Sequence, residues 1–177
     1  MEDISLHILD IAENSVRADA KTIEIVITRD TGQDLLHVRV IDDGRGMDAG
    51  TLARVRDPFF TTKHKKTGLG IPLLAQAAEQ TGGKVTIESA PGEGTRVLVT
   101  FGWSHVDRPA IGNMTDTLIA LIAGHPDREY IYEEREGDRF FRFDTREIKA
   151  ELDGVPITEP AALTAIRDLL KENIRMV

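Results

Sequence analysis

Residues Ile4 to Ala18 repeat apolar side chains with a helical period. At about 100° per residue, Ile4, Ile8, Ile11, Ala12, Ser15 and Val16 share one arc. His7, Asp10, Glu13, Asn14 and Arg17 share the other. The polar arc is either a solvated surface or one wall of a pocket. The pattern then changes to period two. Thr22 to Arg29 sets Ile23, Ile25 and Ile27 against polar neighbours, with Val26 on the other face. Leu35 to Ile41 does the same with Leu36, Val38 and Val40. Asp30-Thr31-Gly32-Gln33-Asp34 between them is turn chemistry. These are two strands of a hairpin.

Asp57 to Thr67 has no clear period and reads as a long loop, basic around Thr61 to Lys66. A second helix is predicted over Leu69 to Thr81, with Pro72 in its first turn and Gly82-Gly83 as its stop. Lys84 to Ser89, a turn through Pro91-Gly92-Glu93-Gly94, and Thr95 to Phe101 make a second hairpin. Gly102 to Asn113 reads as a linker, Met114 to Ala123 as a short apolar helix. Tyr130 to Glu134 and Arg139 to Phe143 form a third hairpin. Pro160 to Ile174 is an amphipathic helix capped at Thr158 or Glu159, with Leu163, Ile166, Leu170 and Ile174 on one stripe. Strands and helices in this order give an α+β fold, with helices covering one face of a mixed, mostly antiparallel sheet. Residues 1–106 are expected as one unit and 107–177 as a small α+β appendage. That appendage could dock a partner or pack on the first unit.

Composition narrows the function classes. Of 177 residues, 41% are hydrophobic and 29% charged, with a formal net charge of -8. An acidic surface repels nucleic-acid backbones, so a phosphate ligand needs cations gathered locally. The absence of cysteine excludes disulfides, thiolate metal sites and cysteine nucleophiles, and favours a reducing compartment. The start Met1-Glu2-Asp3 has no basic leader. No stretch approaches the ~20 apolar residues of a membrane span. The expectation is a cytoplasmic protein without a membrane or nucleic-acid partner.

Four strings carry candidate chemistry. Asn14 follows Asp10 by one helical turn, so both side chains can face one ligand. An Asn amide oxygen is a hard neutral donor that suits Mg²⁺. Asp42 with Gly44 and Gly46 stands directly after a strand. A carboxylate there accepts from the exocyclic amine of adenine, whereas guanine presents a carbonyl and two acceptors would clash. Gly68-Leu69-Gly70 opens a predicted helix, whose free N–H groups attract anions. Thr61, Thr62, Lys63, Lys65 and Lys66 concentrate hydroxyls and cations just before it. Taken singly, each has a plain structural reading: a helix face, an Asp-Gly turn, a helix start, a solvated loop.

Their order resembles the GHKL superfamily, which includes histidine kinases, gyrase B subunits, heat-shock chaperones and the MutL repair proteins. Leu9-Asp10-Ile11-Ala12-Glu13-Asn14-Ser15 looks like its N box, and Asp42-Asp43-Gly44-Arg45-Gly46-Met47 like its G1 box. Asp57-Pro58-Phe59-Phe60-Thr61-Thr62-Lys63 is similar to the F box of histidine kinases, and Thr67-Gly68-Leu69-Gly70-Ile71 to the G2 box. Gly82 to Ser89, then Pro91 to Thr95, resemble the strand pair closing a histidine-kinase catalytic domain. The likeness covers about residues 1 to 102. It implies a Bergerat-type two-layer sandwich that binds ATP with Mg²⁺.

Carried over, the resemblance gives Asn14 the metal and Asp42 the adenine. Gly44, Gly46 and Met47 line the adenine pocket, and Thr95 supports the carboxylate. Arg17 touches phosphate, while Thr67, Gly68, Leu69 and Gly70 wrap the phosphates. Thr61, Thr62, Lys63 and Lys66 belong to the ATP lid, with Lys66 where the family keeps a further glycine. Asp10 stands where the ATPase branches and the anti-sigma kinases keep a Glu base, shorter by one methylene. His7, His37, His64, His105 and His125 all lack the setting of a phosphoacceptor histidine. His7 reads as a helix-face residue near the pocket mouth. Glu133, Glu134, Glu136 and Asp138 read as a solvated turn, and the nearby aromatics as hairpin core and surface. The expected function is a stand-alone protein kinase acting on a separate protein. The alternatives are an ATPase switch and a non-catalytic ATP sensor. Oligomeric state stays open, a homodimer included.

Overall fold

The computed structural model describes residues 3–55 and 70–176. The span 56–69, with Thr61, Thr62, Lys63, Lys66, Thr67, Gly68 and Leu69, lies outside the described residues. The chain runs α1 (Ile4–Arg17), β1 (Thr22–Asp30), β2 (Leu35–Asp42), α2 (Ala49–Arg54), α3 (Gly70–Gln80), β3 (Lys84–Ser89) and β4 (Thr95–Gly102). It continues through α4 (Met114–Gly124), β5 (Glu129–Glu136), β6 (Arg139–Asp144), α5 (Thr145–Glu151) and α6 (Pro160–Asn173).

All strands join one six-stranded sheet in the order β3-β4-β2-β1-β5-β6. Every pairing is antiparallel except β1 with β5. Period-two alternation aligns one apolar row across the whole sheet: Ile87, Val97, Val40, Ile25, Tyr132 and Phe143. Against this face pack Ile8 and Ile11 of α1, Leu74 and Ala78 of α3, Leu118 and Leu121 of α4, and Ile166 and Leu170 of α6. The other face carries Glu24, His37, Arg39, Lys84 and Arg96, none of them buried. The α+β two-layer expectation describes this architecture.

The C-terminal segment is built into the sheet. β5 pairs with β1 from Thr22↔Glu129 to Arg29↔Glu136, and Tyr130 and Tyr132 are fully buried in the shared core. The 102–113 stretch, expected as a linker, is anchored at several points. Ile4 N donates to Ala110 O and Ser5 N to Ile111 O, which caps two orphan amides of α1. The guanidinium groups of Arg29 and Arg108 both lie over the Trp103 ring, at 4.2 and 4.3 Å from its centroid.

Two side-chain expectations are corrected. His7 is 3% exposed rather than at a pocket mouth. Its helix is flanked by α3 and α4, so burial extends past the apolar arc to Ser5 and His7. Glu134 is 0% exposed rather than part of a solvated turn. It faces inward because the alternation of β5 continues past Tyr132. The carboxylate accepts from Tyr132 Oη at 3.0 Å, from Arg139, and from the backbone N–H groups of Arg175 and Met176. A buried carboxylate is tolerated when so fully bonded.

Candidate functional site

The end of the sheet where β2 finishes and β4 begins gathers most of the expected residues. Ser89, Thr95, Asp42, Ile23 and Tyr130 form one register row there, on the core-facing side. Alternation along β2 turns Asp42 inward, while Asp43 binds the start of β1. Asp43 Oδ1 accepts from Lys21 N at 2.7 Å and Thr22 N at 2.9 Å. The two adjacent acids are thus divided between a site position and a structural one.

Asp42 is 9% exposed and tightly fixed. Its Oδ1 accepts from Gly44 N at 2.9 Å and Thr95 N at 3.2 Å. Its Oδ2 lies 2.6 Å from Ser15 Oγ, and 3.2 Å separates that hydroxyl from Ile11 O. The single hydroxyl proton goes to the nearer, charged acceptor. Oδ1 is then saturated, and Oδ2 keeps one free acceptor direction. Thr95 supports Asp42 through its backbone. Its hydroxyl instead meets Ser89 Oγ at 3.0 Å.

Ser89 ties the neighbouring loop to the sheet. Its hydroxyl donates to Gly94 O at 2.8 Å and accepts from Met47 N at 2.9 Å. Two glycines let three backbone segments converge here. Gly46 has φ +68°, and a Cβ on it would lie 1.9 Å from Ala90 O. Gly94 has φ +76°, and its Cβ would lie 1.9 Å from Asp42 O. Neither conformation nor space admits a side chain. Gly44 serves by close approach, since its Cβ would lie 2.8 Å from Ala18 O.

Ser15 links this floor to the polar arc of α1. Asp10, Asn14 and Arg17 are all exposed along that arc. Arg17 Nη1 donates to Asn14 Oδ1 at 2.6 Å, and Arg45 Nη2 donates to Arg17 O at 2.6 Å. At the other flank, a Cβ on Gly70 would lie 3.2 Å from Asp10 Oδ2, so glycine lets α3 begin against α1. Beyond α3, Thr81 O accepts from Gly102 N at the opposite end of the sheet. α3 therefore starts beside the site and runs away from it, and its N-terminal amides stay on the Asp10 side. Asp42, Gly44, Gly46, Met47 and Thr95 thus meet beside the C-terminal end of α1, which carries Asn14 and Arg17, while Gly70 lies against Asp10 further back on the same helix. The lid candidates lie outside the described residues.

Among the described residues, no group of three or more His, Cys, Asp or Glu could hold a metal ion. Asn14 Oδ1 is a neutral oxygen in a place already visited by a cationic side chain. That fits Mg²⁺, which keeps waters and phosphate oxygens as its other ligands. Sequence reasoning passed over Ser15 and Ser89. Ser15 sat on the apolar arc, and its value lies only in a partner 27 residues away. Among the described residues, no helix is long and apolar enough to cross a membrane.

Known proteins resemble this chain. The family described as histidine kinase-, DNA gyrase B-, and HSP90-like ATPase matches residues 2–104. Sporulation kinase A of Bacillus subtilis (strain 168) is 35% identical over 95 residues, which are 52% of this chain and 15% of that protein. Sensor histidine kinase ZraS of Klebsiella oxytoca is 38% identical over 95 residues, 53% of this chain and 20% of that protein. The chain thus spans a fifth or less of these relatives. The crystal structure of the N terminal domain of a DNA repair protein shares the fold at a TM-score of 0.56 and 15% identity. That likeness covers 80% of this chain and 52% of the other, so the common fold takes in part of the C-terminal segment.

Proposed function

This chain belongs to the histidine kinase-, DNA gyrase B-, and HSP90-like ATPases, and from that membership we propose that it binds Mg-ATP and passes the γ-phosphate to a protein acceptor outside this sequence. The observation that carries the reading is the state of Asp42. Three donors hold its carboxylate, and one acceptor direction on Oδ2 is left for an exocyclic amine. Such a fixed acceptor selects adenine over guanine by roughly 1–3 kcal/mol. Asn14 Oδ1 is the metal ligand. Magnesium, when bound, neutralises phosphate charge and aligns the transferred group. Arg17 and the α3 N-terminus bind phosphate, Asp10 accepts a proton from a hydroxyl acceptor, and Lys63 and Lys66 supply positive charge to the γ-phosphate.

The setting of the histidines in this chain supports an acceptor outside this sequence. His7 is buried, and His37, His105 and His125 are followed by Val38, Val106 and Pro126 rather than by an acid. The related sensor and sporulation kinases make phosphoryl transfer the leading chemistry. A conformational ATPase switch is the second reading. It draws on the C-terminal segment holding α1 beside Asn14, where His125 Nε2 lies 3.0 Å from Glu13 Oε1 and Arg128 Nη2 lies 3.0 Å from Asp19 Oδ1.

Incubation with γ-labelled ATP and Mg²⁺, alone and with cell extract, separates these readings. Kinase activity puts label on a protein other than this one, alkali-stable for phosphohistidine and acid-stable for phosphoserine. Free phosphate without labelled protein selects the switch. No binding of ATP in preference to GTP removes the nucleotide assignment altogether.

A further inference from the structure

Asn14 Oδ1, the oxygen assigned to the metal, is engaged by this chain's own cation. Arg17 Nη1 donates to it at 2.6 Å, from one helical turn further on. Arg17 is held differently at its two ends. Its carbonyl accepts from Arg45 Nη2 at 2.6 Å, and Arg45 N donates to Ala18 O at 2.9 Å, so its backbone is fixed to the loop behind Asp42. Its guanidinium lies on the exposed arc, where the bond to Asn14 Oδ1 holds it. A guanidinium and a divalent cation cannot share one amide oxygen without strong repulsion at contact distance. A triphosphate, by contrast, offers the displaced guanidinium a better, multiply charged acceptor.

We propose that Arg17 is a stand-in for the metal: it occupies Asn14 Oδ1 in the nucleotide-free protein and moves to the phosphates when metal-loaded nucleotide claims that oxygen. This deepens the Mg-ATP reading and rests on it. Its consequence is a built-in discrimination. Metal-loaded ATP satisfies both residues, one through the ion and one through phosphate. Metal-free ATP must pull Arg17 from Asn14 and leave that amide without its partner, or forgo the guanidinium.

The test measures ATP affinity with Mg²⁺ and with EDTA for the wild type, Asn14→Ala, Arg17→Ala and the double variant, using adenosine to check that each pocket is intact. Asn14→Ala frees the guanidinium. It should bind ATP in EDTA about three- to tenfold tighter than the wild type, the scale of one exposed charge-assisted hydrogen bond. The double variant should lose that gain. Arg17→Ala should weaken Mg-ATP by roughly tenfold but metal-free ATP by less than about twofold. A plain metal ligand at 14 and a plain phosphate ligand at 17 predict something else. Asn14→Ala would then not tighten metal-free ATP, and Arg17→Ala would weaken both forms equally. Either result overturns the proposal while leaving the nucleotide site standing. A wild type that binds no Mg-ATP removes both.

Discussion

At the scale of single residues, the site depends on how a carboxylate is held. Asp42 and Asp43 are indistinguishable by charge, and strand alternation decides which one faces the helix layer. Among the described residues, Ser15 is the only side-chain donor on Asp42, and its bond is short. Ser15→Ala should leave Oδ2 buried with one donor fewer. ATP affinity should fall about fivefold, or roughly 1 kcal/mol, with little change in melting temperature. Asp42→Asn should cost more, since it replaces one acceptor with a donor facing the amine. Titration of both variants against ATP and adenosine checks this. Equal affinities for wild type and Ser15→Ala would mean that the free direction on Oδ2 does not read the base. The residues with a family-like string around them were legible: Asn14, Asp42, Gly44 and Gly46. Ser15 and Ser89 were not, because each acts through a partner brought close only by register or by helix-on-sheet packing. Arg17 was legible as a cation near phosphate, but its bond to Asn14 is a matter of rotamer.

At the scale of elements, hydrophobic period located every long helix and every strand, with ends shifted by one or two residues as helix fraying allows. It passed over α2 and α5. Both are short, and their signals are polar caps rather than apolar stripes. Asp48 Oδ1 accepts from Thr51 N at 2.7 Å, and Asp144 Oδ1 from Arg146 N at 3.0 Å. Asp144 also joins β6 to α5 through charge. The Arg146 side chain bonded to it, then the Arg146 N–H and the Arg142 side chain, hold its carboxyl down to about 2 from 3.8, against the opposing effect of burial. A depressed folded value stabilises the protein above the unfolded value, and that contribution is lost as pH falls through the folded one. The wild type should therefore exceed Asp144→Asn in stability at and above about pH 5. The gap, at most about 2 kcal/mol because both arginines are partly solvated, should shrink below about pH 4 and nearly close by about pH 2. Denaturant melts across this range measure it. A gap constant with pH would mean the carboxylate charge contributes nothing at this junction.

At the scale of the whole molecule, sequence likeness and packing divide the chain differently. The family match ends at residue 104, close to the expected boundary at 106. The sheet and core do not end there. β1 is a central strand whose second partner, β5, comes from the C-terminal segment, and Ile23 and Ile25 sit opposite Tyr130 and Tyr132. α4 runs beside α1, with Gly112 just before it near Ser5 and His125 just after it at Glu13. Periodicity predicted the hairpin and the helix but not their destination, because the β1–β5 pairing joins residues about a hundred apart and no local pattern encodes it. A fragment of residues 1–106 holds every candidate site residue yet exposes one flank of α1 and the whole β5 side of β1. Two buried tyrosines alone cover roughly 150–250 Å² each, and an uncovered central strand invites intermolecular pairing. The fragment should aggregate or melt without cooperativity, while the full chain should unfold in one transition seen alike by Trp103 fluorescence and circular dichroism. Adding the 107–177 segment in trans should rescue little, since closure in one chain benefits from an effective concentration that two pieces lack. A fragment that melts cooperatively and binds ATP as the full chain does would show the opposite. The nucleotide site would then stand alone, and the sheet extension would be free to serve a partner.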